Sequence, residues 1–233
     1  MSNFLPGMGF PMSLKNLLTV LEEIQTCSVD TLLDLPHLTG LIGRAGLSAR
    51  VLPDPSWYGA DVKYLTPVGG MLQVPRQLAE LLIYLHDKHI KTGLIIGTGT
   101  GFTDCILTAY LQRFEPVFHA ITVDPFQIEA ENVGSEWGAI KSSVPLLFVD
   151  TYPQNRVYSM CFIDGEHDEQ HVRSDYENYG VYCQYCAFHD INNAFYPHIG
   201  AIYRGYCVGK EHHEFTYHSH NERFMGIGLI NLL

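Results

Sequence analysis

At 233 residues, with 46% hydrophobic and 17% charged residues, the chain can build one full-sized core and is too apolar to be disordered. A formal net charge of −11, with its 14 Lys and Arg scattered, excludes the basic footprint of a nucleic-acid or anionic-membrane binder. No apolar run reaches the roughly 18 residues of a membrane span, and "MSNFLPGMGFPMSLKNLLTV" lacks the basic and continuous apolar regions of a signal peptide.

Cys27, Cys105, Cys161, Cys183, Cys186 and Cys207 fall largely in apolar runs, as reduced, buried thiols do. The expectation is a cytoplasmic protein with a small-molecule partner, no nucleic acid and no membrane. Taken in chain order, the first predicted element is the helix "SLKNLLTVLEEIQ". Leu14, Leu17, Leu18, Leu21 and Ile24 recur at helical spacing, with Ser13 as N-cap. "SVDTLLDLPHLTGLIGRAGL" continues as helix, broken at Pro36. "VLPDPSWYGADVKYLTPVGGML" is rich in Pro and Gly and reads as loop. The chain therefore divides near residue 66 into an N-terminal helical extension, 1–66, and an α/β domain, 67–233. The apolar faces of the extension suit either a cap over a substrate pocket or a contact in a homodimer.

"VPRQLAELLIYLHDKH" is an amphipathic helix with Pro75 in its first turn and Leu78, Leu81, Leu82 and Leu85 on its apolar face. "TGLIIGTGTGFTDCILTAYLQRF" reads as strand, glycine-rich turn and helix. "HAITVDPF", "VPLLFVDTY" and "SMCFIDGEH" are strands that each end in an acid. "VRSDYENYG" is helical, and "CQYCAFHDI" and "RFMGIGLINLL" are strands. Such alternation implies a doubly wound, mostly parallel α/β sheet.

Successive strands finish in polar groups: Gly97 to Gly101, then Asp124, Asp150, Asp164 and the pair His189-Asp190. Ligands in open α/β sheets bind outside the carboxyl ends of the strands, so this register points to a site. Gly97, Gly99 and Gly101 permit a tight turn and close approach of a ligand to the backbone. Asp124, about 23 residues beyond Gly101, can accept hydrogen bonds from ribose hydroxyls. The turn reads G-x-G-x-G, with Phe102 in place of the last glycine of the dinucleotide fingerprint. An NAD-dependent oxidoreductase is therefore the second reading.

Asp164 and Asp190 are hard ligands suited to Mg²⁺, and His189 suits Mn²⁺, Fe²⁺ or Zn²⁺ at least as well. In the alternative, Asp164 orients substrate and His189 is a hydrogen-bonded structural residue. Cys183, Cys186 and His189, completed by Cys207, His212 or His213, form a further zinc alternative. "KEHHEFTYHSHNER", residues 210–223, reads as a solvated hairpin or, given Phe215 and Tyr217, a loop over the substrate.

"LIIGTGTGFTDCIL", "AITVDPF", "FVDTY", "FIDGEHDEQHVRSDYENY" and "AFHDI", in this order, resemble class I S-adenosylmethionine-dependent methyltransferases. The nearest flavour is the small-molecule O-methyltransferase branch, including catechol-type and cephalosporin-hydroxylase-like members. The resemblance covers residues 67–233 and implies a seven-stranded Rossmann-like methyltransferase fold with a closing antiparallel hairpin. It implies methyl transfer from S-adenosylmethionine to a hydroxyl, with the cofactor held by Gly97, Thr98, Gly99, Gly101, Asp124 (ribose) and Asp150 (adenine edge). It also implies a divalent cation on Asp164, His189 and Asp190, and His167 as catalytic base, with Glu166 as the alternative. A catalytically degenerate, purely binding relative is the third reading. The chain departs from the family pattern at Ile95, where many members carry an acid, and at "VYCQYC", where Pro-Gly-Gly is usual.

Overall fold

The computed structural model describes residues 12–48, 65–66, 71, 73–124, 144–217 and 225–233. The chain opens with three helices: α1 (Met12–Thr26), α2 (Val29–Leu33) and α3 (Leu35–Arg44). Helix α1 begins at Met12, so Ser13 sits inside it rather than capping it. The break in the next helical stretch falls at Asp34, before Pro36. Asp34 closes α2, and its carboxylate accepts from the His37 N–H, while Pro36 lies in the first turn of α3. A proline there loses no helical hydrogen bond, so Pro36 starts a helix instead of ending one. Most of the Pro- and Gly-rich segment lies outside the described residues. Leu47–Ser48 and Leu65–Thr66 pair as a two-residue parallel ladder.

Helix α4 (Pro75–Leu85) leads into strand β1 (Thr92–Ile96) and helix α5 (Phe102–Phe114). Strands β2 (His119–Val123), β3 (Leu146–Val149) and β4 (Met160–Ile163) follow, then helix α6 (Glu169–Asn178) and strand β5 (Tyr185–Phe188). Helix α7 (Pro197–Cys207), strand β6 (His212–Phe215) and strand β7 (Ile227–Asn231) complete the chain. Sequence patterning did not isolate α7. Nor did it isolate β6, which takes the first half of the histidine-rich segment as an edge strand; His218 and His220 lie outside the described residues.

The sheet order is β3-β2-β1-β4-β5-β7-β6. Strands β1 to β5 run parallel, and β7 is antiparallel to both β5 and β6. The order reverses between β1 and β4, which creates a crevice at their carboxyl ends.

Alternation along the strands divides the core in two. Ile95, Met160, Phe162, Tyr185 and Ala187 pack with α1, α3, α4 and α5, whereas Leu94, Ile96, Cys161, Ile163, Cys186 and Phe188 pack with α6 and α7. This two-residue period is the geometry of a strand buried on both faces. All six cysteines are free thiols, five of them buried. Among the described residues no helix is long and apolar enough to cross a membrane.

The N-terminal helices share the core of the sheet. Leu14, Leu17, Leu21 and Ile24 of α1 belong to the same buried cluster as Cys105, Ile106 and Ala109 of α5. Arg44 of α3 pairs with Glu23 of α1 at 2.8 Å, and Arg113 of α5 donates to the Cys27 carbonyl at 3.2 Å. Leu17→Ala is therefore expected to cost about 2–5 kcal/mol and to lower the unfolding midpoint of the whole chain in a single denaturant transition. Two separated transitions would mean that α1–α3 unfold on their own.

Candidate active site

The site is built from the ends of four neighbouring strands, β2, β1, β4 and β5. At the end of β1 the Gly97 N–H donates to the Val123 carbonyl, and the Asp164 N–H donates to the Ile96 carbonyl. Gly97 has φ +93°, and a Cβ there would lie 2.0 Å from the Asp164 carbonyl oxygen. No side chain fits, so Gly97 is glycine because two backbones touch. Gly99 differs: with φ +50°, a Cβ there would meet nothing within 4 Å, leaving the turn open to a ligand. Asp124, at the end of β2, accepts from the Thr98 and Gly99 N–H groups at 3.2 and 3.1 Å through Oδ2. One carboxylate oxygen thus shapes the glycine turn itself.

The loops after β4 and β5 bring Asp164, His167, His189 and Asp190 together. His189 Nδ1 donates to Asp164 Oδ1 at 2.9 Å and lies 3.5 Å from Asp190 Oδ2. Asp190 Oδ2 is 2.8 Å from His167 Nε2, and its Oδ1 accepts from Asn193 Nδ2 at 3.0 Å. Asp190 has φ +62°, a left-handed conformation that aspartate tolerates better than most residues. Gln73 donates to Asp164 Oδ2 and accepts from the Thr103 hydroxyl, tying the segment before α4 to the site.

Electrostatics follow from this geometry. Burial opposes a charge on His189, but the carboxylates of Asp164 and Asp190 outweigh it and hold its pKa well above the ordinary value. Burial also opposes the Asp190 carboxylate; His189, His167 and Asn193 overcome this and hold its pKa far below the usual range. The hydrogen bond to Asp190 raises the pKa of His167. His189 Nε2 is buried without a hydrogen-bond partner among the described residues.

A cavity of about 230 Å³ joins these groups. It is lined by Gly97, Thr98, Gly99, Asp164, His167, His189 and Asp190, all anticipated from the sequence, and by Gln73, Thr100, Thr103, Asp104, Asn193, Tyr196 and Met225, which were not. Asp124 and Gly101 shape the turn behind the lining. Asp150 and Glu166 are exposed and do not line the cavity. Among the described residues the lining holds three carboxyl groups (Asp104, Asp164 and Asp190) and no Lys or Arg.

The residues fit a divalent cation in part. Ligand atoms of Asp164, His167 and Asp190 lie within 4.8 Å of one another. This places His167 where the sequence suggested His189, whose Nδ1 is instead engaged by Asp164. Cys183 and Cys186 turn the other way. Cys183 donates to the Tyr179 carbonyl, and Cys186 packs against Gly180 beneath α6, apart from His189, so this structure gives the zinc alternative no converging ligand set.

Of the unforeseen residues, Asp104 carried a legible signal: it is an acid within a ten-residue stretch of α5, Phe102–Leu111, that is buried throughout. Gln73 and Asn193 lie in irregular segments where no periodicity marks them.

Comparison with solved structures places this fold. The chain is similar to an O-methyltransferase from Bacillus cereus in complex with S-adenosylhomocysteine (12% identity, covering 91% of this chain and 96% of that one, TM-score 0.51). It is similar to the O-methyltransferase TomG of Streptomyces achromogenes, in complex with S-adenosylmethionine (12% identity, 93% and 96% covered, TM-score 0.50). It is also similar to the C-terminal domain of precorrin-6Y C5,15-methyltransferase from Rhodobacter capsulatus (12% identity, 77% and 96% covered, TM-score 0.50). No family model and no curated protein matches the sequence. The chain therefore has the Rossmann-like methyltransferase fold, with three helices preceding it.

Burial raises the Asp104 carboxyl to about 8, against the opposing effect of its hydrogen bond from Thr122. The native state thus binds one more proton than the unfolded chain from about pH 4 to 8, and stability falls across that window by up to about 1.4 kcal/mol per pH unit. Asp104→Asn, which keeps the shape and an acceptor for Thr122, is expected to exceed the parent in stability at pH 8 and to converge with it toward pH 4. Urea unfolding of both proteins across this range checks it; parallel curves would contradict a neutral Asp104.

Proposed function

We propose that this protein is an S-adenosylmethionine-dependent methyltransferase that methylates a hydroxyl of a small molecule. The observation that carries the reading is the cavity itself. It joins the glycine turn to the Asp164–His167–His189–Asp190 cluster, and among the described residues its wall carries the side chains of Asp164 and Asp190, the neutral carboxyl of Asp104 and no Lys or Arg. S-adenosylmethionine brings a sulfonium and an ammonium, which such a wall attracts. A dinucleotide brings a pyrophosphate, for which this wall offers no Lys or Arg among the described residues. The electrostatics thus favour the methyl donor over NAD. The likeness in fold to O-methyltransferases supports the reaction class, and the oxygen acceptor rests on the acid–base cluster.

Bound S-adenosylmethionine supplies an electrophilic methyl group. The protein's own task is to present an oxygen nucleophile and take its proton. His167 is the base: it lines the cavity, and Asp190, 2.8 Å from Nε2, stabilises the imidazolium formed on proton transfer. Asn193 fixes Asp190, and Tyr196 stacks near the His167 ring at 4.6 Å, limiting its rotation. Glu166 lies outside the cavity lining and is the weaker candidate. Gly97, Thr98 and Gly99 form the cofactor's side of the cavity; Asp124 organises that turn and faces the ribose. Asp150 serves the adenine edge, at the neighbouring strand end.

Asp164, His167 and Asp190 would hold a divalent cation such as Mg²⁺ or Mn²⁺, which would lower the pKa of a bound hydroxyl. With such an ion His167 would serve as a ligand instead of as the base.

Calorimetric titration should detect S-adenosylhomocysteine and not NAD⁺; the reverse would replace this reading with the oxidoreductase. With an acceptor in hand, His167→Gln is expected to lower kcat by about 10²- to 10⁴-fold. The base must be neutral to act, and its pKa is raised, so the acid limb of the parent's pH–rate profile should lie above about pH 6.5. Full activity in EDTA would assign His167 as base, and recovery only with Mg²⁺ or Mn²⁺ would assign it as ligand.

A further inference from the structure

We propose that His189 sets the metal affinity of this cluster: its Nδ1–H, seated between Asp164 and Asp190, competes with a divalent cation for the two carboxylates and keeps His167 free of the ion. This role rests on the reading above only for the place of the cation, and its test uses neither cofactor nor acceptor.

All four carboxylate oxygens of the pair already meet a nitrogen donor. Asp164 accepts from His189 Nδ1 through Oδ1, at 2.9 Å, and from Gln73 Nε2 through Oδ2. Asp190 accepts from Asn193 Nδ2 through Oδ1, at 3.0 Å. Its Oδ2 lies 2.8 Å from His167 Nε2 and 3.5 Å from His189 Nδ1. A divalent ion such as Mg²⁺ or Mn²⁺ draws on the same oxygen lone pairs. It gains them fully only where a donor gives way.

The donors differ in how readily they yield. Gln73 and Asn193 are amides, and each carries an oxygen that can face a cation once its nitrogen turns aside. The His167 side chain is 35% exposed. It can rotate, and it belongs to the set whose ligand atoms lie within 4.8 Å of one another. His189 has no such freedom. Its side chain is 3% exposed, and its own N–H donates to the Ile163 carbonyl of β4. A ring packed at interior density on a strand end cannot swing away.

The second ring nitrogen shows what this side chain is for. His189 Nε2 is buried without a partner among the described residues, a cost that an apolar residue would not carry. Against that cost stands a donor fixed between two acids that come from different strand ends. His189 links Asp164 to Asp190 as a bound cation would. His167 then stays free to act as base. A histidine that ligated the ion would have the opposite effect, since its loss would weaken metal binding instead of strengthening it.

The test is Mn²⁺ binding, read from the electron paramagnetic resonance of the free ion, on the parent and on His189→Leu. Leucine fills the space and offers neither a donor nor a ligand atom. The variant should bind Mn²⁺ about 10- to 100-fold more tightly than the parent, the worth of a hydrogen bond to a carboxylate. Adding Asp164→Asn to the variant should remove the gain. Equal affinity in parent and variant, or binding by neither, overturns the competition. Weaker binding by the variant overturns it in favour of His189 as a ligand. A gain that survives Asp164→Asn puts the ion elsewhere and overturns it as well. Should His189→Leu not fold, His189→Gln is made and its unfolding midpoint followed with Mn²⁺. The ion should raise that midpoint by more than it raises the parent's. An equal or smaller rise, or a variant that stays unfolded in Mn²⁺, overturns the proposal. None of these outcomes touches the methyl donor, so the methyl-transfer reading stands or falls by its own titration.

Discussion

The site depends on a contact between two backbones. Gly97 at the end of β1 presses on the Asp164 carbonyl at the end of β4, where a Cβ would have only 2.0 Å. This is the point at which the strand order reverses. Adjacent strands leave here in different directions, and their loops open the crevice between the glycine turn and the acid–histidine cluster. The first glycine of the turn is thus explained by packing, and the second, Gly99, by open space in front of it. One motif contains two physical reasons, and only the second concerns a ligand.

The cluster itself is an exercise in balancing buried charge. A buried carboxylate such as Asp190 needs a cation nearby in a low-dielectric wall. His189, 4% exposed and close to both Asp164 and Asp190, supplies that cation. It holds the Asp190 carboxylate ionised and orients both acids, leaving His167 as the more exposed imidazole facing the cavity. The two histidines therefore differ in role because they differ in burial and in partners. His189 spends its Nδ1 on the acids, and among the described residues the side chains able to converge on a metal are Asp164, His167 and Asp190.

Much of this was legible in the sequence, because it rests on periodicity. Strands buried on both faces read as apolar runs, and each run ended in a polar residue at the edge where ligands bind. That register marks Gly97, Asp164, His189 and Asp190, which line one cavity in the fold. What escaped was what lacks a period. Helix α7 opens at Pro197 after Asn192–Asn193 and Phe195, a polar and aromatic stretch with no capping side chain at Tyr196. Strand β6 is edge structure, half exposed, with the pattern His-His-Glu-Phe, and its pairing with β7 overrides a composition that reads as loop. Ser13 and Pro36 were misplaced because cap and break depend on the chain direction at the helix end, which composition does not fix. Gln73 reaches Asp164 across 91 positions of sequence, a long-range contact that only the fold creates.

The unforeseen residues also separate fold from chemistry. At 12% identity to the solved methyltransferases, this chain shares their fold while the side chains of its site must be judged on their own. Ile95 is buried in the core on the α5 side of β1, so an acid at that position would face apolar packing and not the cavity. The acid that does reach the wall comes from the next element, Asp104 on α5, linked to the glycine turn through Thr122 and Thr98. A charge requirement of a binding site is met by any residue that puts a carboxyl group at the right point in space. Position in the sequence motif is therefore a weaker guide to which side chains line the cavity here than burial and hydrogen bonding.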